Sequence, residues 1–515
     1  RHGLGTPTAT RLLERQYLRR INNIMEQTPP QSTTTDYERI FHPKKMAIIG
    51  ISSKGTGAAS DLFYSLRLFG YPGEIFLVNP KGGSIAGQEI YQSVQQIPDN
   101  LDLAAIFAAA AAVPDILEAC RLKGAAVAEI FSAGFTETAS DEGVALQKEI
   151  VKITQRGIRV VGPNCMGIYC PQGGLTIVQG QDFSRESGPV AFLSQSGGQA
   201  IDFTNLGLSI GLTFSKVVSF GNGADLRETE LLLHLGEDRQ TRIINMYIEG
   251  LADGDAFFRT MKDVARKKPV IVLKGGLSEA GSRAVLSHTA SMGGSRKIWG
   301  SILKQVNAVQ VRNVPEMARA SLAFTHLPAK TYRNLSIVAG GGGNGVSGAD
   351  QAETFGLKVP PFAPELSKRI DAFLPKPGSS AVNPVDLAMP FVPPQVIRDA
   401  LSLAASDERI DLQILITMFS YYKILADTSG KSIKELVPYI EIADSVREVA
   451  EKTGKPVVVI LSNQRCGKND LGVIELIEAA RCAFIERGIA TFDDLSDALQ
   501  AIAYVNDYYG GKEDE

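Results

Sequence analysis

Paired cysteines, long apolar runs and an excess of one charge are all missing from this 515-residue sequence. Its five cysteines are odd in number and scattered, which argues against a disulfide framework and is typical of a reducing compartment. Cys165 and Cys170 lie close together but have no histidine nearby, which disfavours a zinc site. We predict no metal site on this chain.

The longest apolar run, "LAAIFAAAAAV" at 103–113, is too short to span a bilayer and directly follows Asp102. It is typical of a buried strand that leads into a helix, so we expect no membrane partner. Residues 1–40 begin basic and become polar, without the apolar core of a secretory signal. We expect a flexible N-terminal extension and a cytoplasmic protein; a mitochondrial-type presequence is the alternative.

Charge of one sign is also lacking, because the formal net charge is −3 with both signs well mixed. A basic face or tail, which nucleic-acid binding needs, is not apparent, so we expect no nucleic-acid partner. The 44% hydrophobic and 21% charged content is that of a globular protein, and the length predicts about three domains.

Apolar runs rich in β-branched residues alternate with longer helical patterns from residue 45 almost to the end. Such runs, for example "KMAIIG", "PVAFLSQ" and "LSIVAGG", indicate parallel sheets covered by helices on both faces. Polar breaks at 180–189 and 327–334 divide the chain. We therefore predict three α/β domains at 41–180, 187–327 and 333–508.

The first strand-to-helix turn, "IIGISSKGTG" at 48–57, resembles a dinucleotide-binding turn but departs from it twice. Ser52 replaces the second glycine of the NAD fingerprint, and the next strand ends near Lys81, where an NAD site needs an acid. A lysine suits a pyrophosphate or a phosphorylated ribose instead. A plain tight turn is the alternative reading.

In the second domain, four strands end in polar or glycine-rich stretches: "SQSGG" (194–198), "GNGAD" (221–225), "YIEG" with Glu249, and "KGG" (274–276). The carboxyl ends of parallel strands share one edge of a sheet, so these groups are predicted to converge. Hydroxyls, backbone amides, a carboxylate and Lys274 at one edge are suited to holding a phosphoryl group.

The stretch "SHTASMGGS" at 287–295 places His288 among small and hydroxyl residues shortly after that edge. A surface histidine in a turn is the simplest interpretation. The convergence of phosphate-binding groups favours a histidine that carries a phosphoryl group on a mobile loop, because neutral imidazole is a competent nucleophile.

A third glycine-rich stretch, "AGGGGNG" at 339–345, follows the strand "LSIV" in the last domain. Four consecutive glycines do not stabilise a helix, since each costs about 1 kcal/mol in a helix interior. A turn that brings backbone amides to a phosphate or to another subunit and a flexible hinge are both open.

Taken together, these motifs give the chain a family resemblance. It resembles the nucleoside-diphosphate-forming acyl-CoA synthetases, specifically the α subunit of ADP-forming acetate–CoA ligase, and in its first two domains the α subunit of succinyl-CoA synthetase. The matching stretches include "GPNCMGI", "LSQSGG", "SFGNGADL", "YIEG", "SHTASMGGS" and "NPVDL". The resemblance implies a Rossmann-like CoA-binding domain followed by two flavodoxin-like domains.

The resemblance also implies a reaction, in which acyl-CoA, phosphate and ADP give acid, CoA and ATP. It assigns His288 as the phosphorylated nucleophile and Glu249 as the acid that steadies it. The CoA-binding positions it implies are Gly50, Ser52, Lys54, Lys81 and Asn164, and the phosphate-binding positions are Ser194, Ser196, Gly197, Gly342 and Gly343.

Nothing in the sequence looks like a complete ATP-grasp region, so we expect ADP or ATP with Mg²⁺ to bind on a separate β subunit, in a heterotetramer. Two stretches depart from the usual family pattern: "AAA" stands at 108–110 for "VPA", and "SHTASMGG" for "SHTGALAG". Neither departure removes a charged or nucleophilic group, but the first could alter the CoA pocket.

Two alternative functions remain open at this point. The chain could be a non-catalytic CoA-binding or regulatory homologue, or an ATP-independent acyl or carbamoyl transferase on the same scaffold. His288 together with Glu249 argues against both, because neither alternative needs the pair. The identity of the acyl group is not encoded in any pattern that we recognise.

Overall fold

The computed structural model describes residues 35–289, 295–389, 391–462 and 470–513; the side chains of 286–289 and 513 also lie outside the description. The described chain forms two compact units, which we treat separately. The first comprises the described residues up to Leu208 and Thr213–Val314, and the second comprises Ser209–Leu212 and the residues from Pro315 onward.

The first unit contains two sheets and the helices that cover them. Its strands are Lys45–Ile49 (β1), Glu74–Val78 (β2), Ser84–Ile85 (β3), Gln88–Tyr91 (β4), Leu103–Ile106 (β5), Val127–Ile130 (β6), Arg159–Val161 (β7), Gly167–Tyr169 (β8), Ser187–Ser194 (β9), Phe214–Ser219 (β10), Ile243–Ile248 (β11), Val270–Lys274 (β12) and Val309–Val311 (β13). Its helices are Tyr37–Phe41 (α1), Ala58–Phe69 (α2), Val113–Leu122 (α3), Asp141–Thr154 (α4), Gly197–Ser209 (α5), Glu228–Glu237 (α6), Gly254–Ala265 (α7), Glu279–Thr289 (α8) and Arg296–Gln305 (α9). Short 3-10 turns lie at Val94–Gln96, Ala110–Ala112, Thr136–Thr138 and Pro171–Gly173.

The first sheet has the order β3-β4-β2-β1-β5-β6-β7 and is parallel apart from the β3–β4 pair. Its central strands are buried because helices cover both faces, which explains their continuous apolar sequences. The carboxyl ends of β1, β2 and β7 therefore lie at one edge, where the predicted CoA-binding turns begin.

The second sheet has the order β13-β12-β11-β9-β10-β8, and only β8 runs antiparallel to its neighbour. The strands β12, β11, β9 and β10 are consecutive neighbours and parallel. The four strand ends singled out in the sequence are thus brought to a single edge.

Local capping follows the sequence closely. The hydroxyl of Ser140 accepts the N–H of Gly143 at the start of α4, and the carboxylate of Asp253 accepts that of Ala256 at the start of α7. Each cap satisfies one backbone N–H that the helix itself leaves unpaired. At the C-terminal end of α2, Gly70 adopts the left-handed conformation that ends many helices.

The expected N-terminal extension of residues 1–40 is corrected at its end, whereas residues 1–34 lie outside the description. Tyr37–Phe41 is helical, and Phe41 is buried. The ring of Tyr37 stacks on His234 of α6 with 3.7 Å between ring centroids. The aromatic side chains at 37 and 41 anchor this segment, since burying their apolar surface offsets part of the cost of ordering it.

The second unit has one sheet. Its strands are Leu335–Ala339 (β14), Val385–Asp386 (β15), Leu412–Thr417 (β16), Val457–Leu461 (β17) and Thr491–Phe492 (β18), in the order β15-β14-β16-β17-β18, all parallel. Its helices are Val314–His326 (α10), Gly342–Thr354 (α11), Pro364–Asp371 (α12), Pro394–Ala405 (α13), Lys423–Ser429 (α14), Ile433–Leu436 (α15), Tyr439–Thr453 (α16), Leu471–Ile485 (α17) and Leu495–Glu513 (α18), with a 3-10 turn at Phe419–Tyr422.

Candidate active site at the carboxyl edges of the sheets

The turn after β1 is shaped by Gly50. This residue has φ +98°, and its N–H donates to the carbonyl of Val78 at 2.8 Å. A Cβ here would lie 2.6 Å from the carbonyl oxygen of Phe107, so only glycine fits. The turn then continues through Ser52, whose hydroxyl accepts the N–H of Lys54 at 3.2 Å.

Asn79 joins this turn to the one after β2. Its side-chain amide donates to the carbonyl of Ile51 at 2.8 Å, and its side-chain oxygen accepts the N–H of Lys81 at 3.0 Å. Lys54 and Lys81 are both exposed on these adjoining turns. The two lysines therefore lie on neighbouring turns at the carboxyl edge, an arrangement that is suited to binding an anion.

The start of α2 adds backbone donors to the same region. Its N-cap is Gly57, which makes no side-chain capping hydrogen bond, and a Cβ at Gly57 would meet nothing within 4 Å. Uncapped N–H groups at a helix start attract phosphate oxygens. With Lys54 and Lys81 on the adjoining turns, this region is suited to an anionic ligand.

Asn164 lies where the first sheet meets the second. It has φ +56° and is half-buried, and its N–H donates to the carbonyl of Ser132 at 3.0 Å. A Cβ on Gly221, in the "GNGAD" stretch, would lie 2.3 Å from the carbonyl oxygen of Asn164. The backbone at Asn164 is therefore in close contact with the turn after β10.

The "SQSGG" turn after β9 uses its hydroxyls internally. The side chain of Ser194 is fully buried; its hydroxyl donates to the carbonyl of Ser196 at 2.7 Å and accepts the N–H of Ser196 at 3.1 Å. A Cβ on Gly197 would lie 2.3 Å from Cγ of Met166, whereas Gly198 is exposed. Ser194 and Gly197 thus shape the turn, and Gly198, which the sequence did not single out, faces solvent.

Gln195 is a residue that the motif reading missed. Its side-chain oxygen accepts the backbone N–H groups of Glu249 and of Gly250, the latter at 3.0 Å. Its own N–H donates to the carbonyl of Tyr247 at 3.2 Å. Gln195 therefore ties the "SQSGG" turn to the end of β11.

Glu249 is only 5% exposed at this edge. The hydroxyl of Tyr247 donates to its Oε1 at 3.0 Å, and burial raises the pKa of that tyrosine well above its usual range. A Cβ on Gly275 would lie 2.8 Å from the same hydroxyl and 3.4 Å from Cγ of Glu249. Tyr247 thus holds the carboxylate from the same strand, and Gly275, directly after β12, leaves room for both side chains.

Lys274, at the end of β12, points to backbone rather than to solvent. It is 5% exposed, and Nζ donates to the carbonyl of Glu249 at 2.7 Å and to that of Gly275. Nζ also lies 5.2 Å from the ring centroid of Trp299 in α9. Burial lowers the pKa of Lys274 to about 8, partly opposed by the charge of Glu249. The expected role of Lys274 as a direct phosphoryl contact is replaced by support of the Glu249 backbone.

His288 belongs to a helix, and this corrects the predicted loop at 287–295. Helix α8 extends to Thr289, because serine, threonine and alanine are compatible with helix and the two glycines come later, at 293 and 294. The side chain of His288 and the whole of residues 290–294 lie outside the description. The preceding turn is fixed by Ser282, whose hydroxyl donates to the carbonyl of Gly276 at 2.7 Å.

Glu129 is a second residue that the motifs did not reveal. It lies on β6, is 4% exposed, and its Oε1 has no hydrogen-bond partner in the described structure. Burial raises the pKa of its carboxyl to about 8. Its Oε2 lies 2.9 Å from where a Cβ on Gly167 would be, so this acid packs beneath the "GPNCMGI" segment.

In the second unit, the "AGGGGNG" turn is shorter than predicted. Helix α11 begins at Gly342, so that residue and Gly343 form its first turn rather than an open loop. The helix has no side-chain cap at Gly341, and a Cβ on Gly343 would meet nothing. At Gly342 a Cβ would lie 2.6 Å from Oδ2 of Asp386, an acid that disfavours an anion at that residue.

Two kinds of feature are absent from the described residues. They contain no group of three or more His, Cys, Asp or Glu side chains placed to hold a metal ion. None of their helices combines the length and the apolar composition that a membrane crossing needs.

Three protein-family models match the chain. They are a CoA binding domain at 44–171, a succinyl-CoA ligase like flavodoxin domain at 187–324, and a Ligase-CoA domain at 335–493. The first confirms a CoA-binding domain at the N-terminal end, and all three confirm the predicted fold class.

Curated relatives match most of the chain. The chain is 35% identical over 427 residues to acetate–CoA ligase [ADP-forming] I of Archaeoglobus fulgidus, covering 81% of this chain and 61% of that protein. It is 33% identical over 435 residues to the α subunit of acetate–CoA ligase [ADP-forming] II of Pyrococcus furiosus, covering 81% of this chain and 93% of that subunit. The chain thus spans less than two thirds of the first relative but nearly all of the second.

A solved structure agrees with the sequence matches. Acetyl-coenzyme A synthetase 1 of Ca. Korarchaeum cryptofilum, in complex with phosphate and ADP, superposes with a TM-score of 0.77 at 26% identity, covering 93% of this chain and 98% of that one. With these relatives and the strand-end turns described above, the chain belongs to the family of ADP-forming acyl-CoA synthetases.

Proposed function

We propose that this chain is the α-type subunit of an ADP-forming acyl-CoA synthetase that works through a phosphohistidine at His288. The observation that carries the proposal is the edge of the second sheet, where Gln195 and Lys274 hold the buried Glu249 in place. A buried carboxylate beside a phosphate-binding turn has a clear use if it orients an imidazole.

The chemistry runs in two transfers on this chain. Phosphate attacks the thioester carbonyl of acyl-CoA, which releases the CoA thiolate and forms an acyl phosphate. A ring nitrogen of His288 then attacks phosphorus, and the carboxylate of the acid leaves. Glu249 accepts a hydrogen bond from the other ring nitrogen and stabilises the positive charge that develops on the imidazole.

Binding of CoA falls to the first sheet. Lys54, Lys81 and the start of α2 hold the phosphates of CoA, with Gly50 and Ser52 forming the turn beneath them. Asn164 contacts the second sheet, so we assign it to the thiol end of CoA, which has to approach the phosphoryl site. CoA supplies the thiol that carries the acyl group, and these residues position it.

The phosphoryl group is held by backbone N–H groups at helix starts. In the first unit these belong to α5, after Ser194 and Ser196, with Gly197 allowing close packing and Gly198 open to solvent. In the second unit they belong to α11, where the absence of a Cβ contact at Gly343 favours that residue over Gly342. Helix starts stabilise phosphate charge without chemistry of their own.

The nucleotide half of the reaction belongs to a partner chain with an ATP-grasp fold, in a cytoplasmic heterotetramer. The Pyrococcus furiosus relative is named an α subunit. We assign ADP, ATP and Mg²⁺ to that partner.

Reconstitution tests this division of labour. The purified chain should bind CoA but form no ATP from acetyl-CoA, phosphate and ADP with Mg²⁺. Adding the ATP-grasp chain should restore ATP formation and give a larger species in light scattering. Full-rate ATP formation by the single chain would contradict the proposal. A panel of acyl-CoAs, tested with the reconstituted enzyme, would identify the acyl group.

A further inference from the structure

The loop after β6 is organised by an acid that lies outside every motif discussed so far for phosphate or CoA. Oε1 of Glu137 accepts the N–H of Gly134 at 2.6 Å and that of Phe135 at 3.2 Å. Both donors belong to the loop at 131–138 that contains Glu137 itself. The carboxylate therefore fixes the path of this loop by charge-assisted hydrogen bonds.

The same carboxylate reaches the second sheet. The side-chain amide of Asn222, in the turn after β10, donates to Oε2 of Glu137 at 2.5 Å. It also lies 3.2 Å from Oε1 of Gln147 and 3.4 Å from the hydroxyl of Thr136. The backbone N–H of Asn222 donates to the carbonyl of Pro163 at 3.0 Å. Glu137 and Asn222 thus join the two sheets through paired polar groups.

Two functional elements rest on this loop. The N–H of Asn164 donates to the carbonyl of Ser132 at 3.0 Å, which attaches the proposed CoA-side residue to it. Helix α8, which contains His288, packs against the 3-10 turn Thr136–Thr138. One loop is therefore in contact with the CoA side, the turn after β10 and the helix of the proposed nucleophile.

We propose that Glu137 and Asn222 are positioning residues that couple occupancy of the CoA site to the position of helix α8. This rests on the proposed function, because it assigns α8 the phosphoryl-carrying histidine. Neither side chain touches a reacting atom. A change at Asn164 on CoA binding reaches α8 through the loop, and the Glu137–Asn222 hydrogen bond keeps that loop in a single arrangement.

The variant Glu137→Gln tests the coupling with little change in shape. A glutamine amide presents N–H groups to Gly134 N–H, Phe135 N–H or the Asn222 amide, so at least one hydrogen bond is lost. The combined variant E137Q/N222D restores a donor facing an acceptor, with the roles reversed. Glu142→Gln is the matched control, because Glu142 is exposed five residues further along the chain.

Hydrogen exchange of the peptide covering 279–289, measured with and without acetyl-CoA, reads the coupling independently of activity. Acetyl-CoA should slow exchange in the wild-type chain and in Glu142→Gln. In Glu137→Gln the slowing should be lost. The Kd for CoA should rise by only about two- to threefold, because the variant keeps the lysines that bind the ligand and loses only the coupling free energy. E137Q/N222D should recover part of it.

Phosphate labelling provides the second readout and separates the two proposals. With acetyl-CoA and labelled phosphate, Glu137→Gln should label roughly 10-fold more slowly, as expected for the loss of one charged hydrogen bond. If no acyl-CoA of the panel labels the wild-type chain, the proposed function fails. If the wild type is labelled, but Glu137→Gln matches it in labelling rate and in exchange, or loses CoA affinity and thermal stability in parallel, the coupling proposal fails.

Discussion

At the carboxyl edge of the first sheet, Lys54 and Lys81 are exposed, whereas at the same edge of the second sheet Glu249 and Lys274 are each 5% exposed. The first edge offers charge to a ligand from solvent. At the second edge, the polar groups already form hydrogen bonds with neighbouring groups of the chain. Equivalent positions in two similar sheets have thus been built for different tasks.

The difference shows where electrostatic attraction is weak and where it is strong. Exposed lysines attract phosphates but are screened by salt, so each contributes modestly to affinity. Buried groups interact in a low-dielectric environment, where a charge that develops during reaction is stabilised strongly. Substitutions at the first edge should therefore change the affinity for CoA, and those at the second should change turnover or stability.

The largest effect is expected from Glu249→Gln. Turnover of the reconstituted enzyme should fall roughly 10- to 100-fold, because a charged hydrogen bond is worth about 1.5–3 kcal/mol. Calorimetry should find the affinity for CoA unchanged. Glu237→Gln, at an exposed surface ion pair with Lys267, is the control. A turnover number equal to that of the wild type would show that Glu249 merely ends a strand.

Next in size is Lys274→Met, which removes the donor to two backbone carbonyls. We expect a loss of about 1–3 kcal/mol in the free energy of unfolding, measured with denaturant, because buried carbonyls are left unpaired. The exposed Lys297→Met should change it little. If both variants unfold alike, Lys274 does not support the Glu249 backbone.

The pKa of Lys274 gives this variant a second signature. Since burial lowers that pKa to about 8, the unfolded chain binds more protons than the folded chain between pH 8 and the ordinary lysine pKa of 10.5. The contribution of Lys274 to stability therefore rises with pH over this window. The difference between wild type and Lys274→Met should grow from pH 8 to 10, and a constant difference would argue against a buried amine.

A smaller effect is expected at the exposed edge. Lys81→Ala should weaken CoA binding roughly fivefold, as one exposed charge contact is worth about 1 kcal/mol, and the loss should shrink with added salt. Lys44→Ala serves as the control, because Lys44 is also exposed but precedes β1 at the opposite edge. Equal affinities for the two variants would remove the CoA assignment from Lys81.

The smallest effect on turnover is expected at a half-buried histidine remote from both edges. Burial lowers the pKa of His234 to about 4, with Lys216 and Lys268 adding to the shift and Asp238 and Glu230 opposing it. The unfolded histidine, with its ordinary pKa of 6.5, takes up a proton first, so stability falls as pH drops from 6.5 to 4. His234→Phe should show a shallower decline than the wild type, with unchanged turnover at pH 7. A parallel decline in both proteins would contradict the neutral, stacked imidazole.

The positions of the strand-end turns could be predicted from the sequence. Gly50, Lys54 and Lys81 follow strands in a pattern that any parallel sheet brings to one edge, and the structure places their turns together. Glu249 was predictable for the same reason, because its position directly after an apolar strand fixes its edge.

The internal bonding could not be predicted in this way. Gln195 and Glu249 are 54 residues apart, and their hydrogen bond depends on the register between β9 and β11, which motif spacing does not encode. Ser194 was predicted to bind phosphate because the sequence shows a hydroxyl residue but not its hydrogen-bond partner, which is the backbone of Ser196. The helical state of residue 288 was missed because small residues suit a loop and a helix alike.

Labelling of the chain with phosphate tests the central claim most directly. The chain is incubated with acetyl-CoA and labelled phosphate, and acid and alkali then distinguish phosphohistidine from phosphate esters. We predict an alkali-stable, acid-labile phosphoprotein whose label maps to His288 and is absent from His288→Ala. Label that persists in His288→Ala, or maps to another residue, would contradict the account.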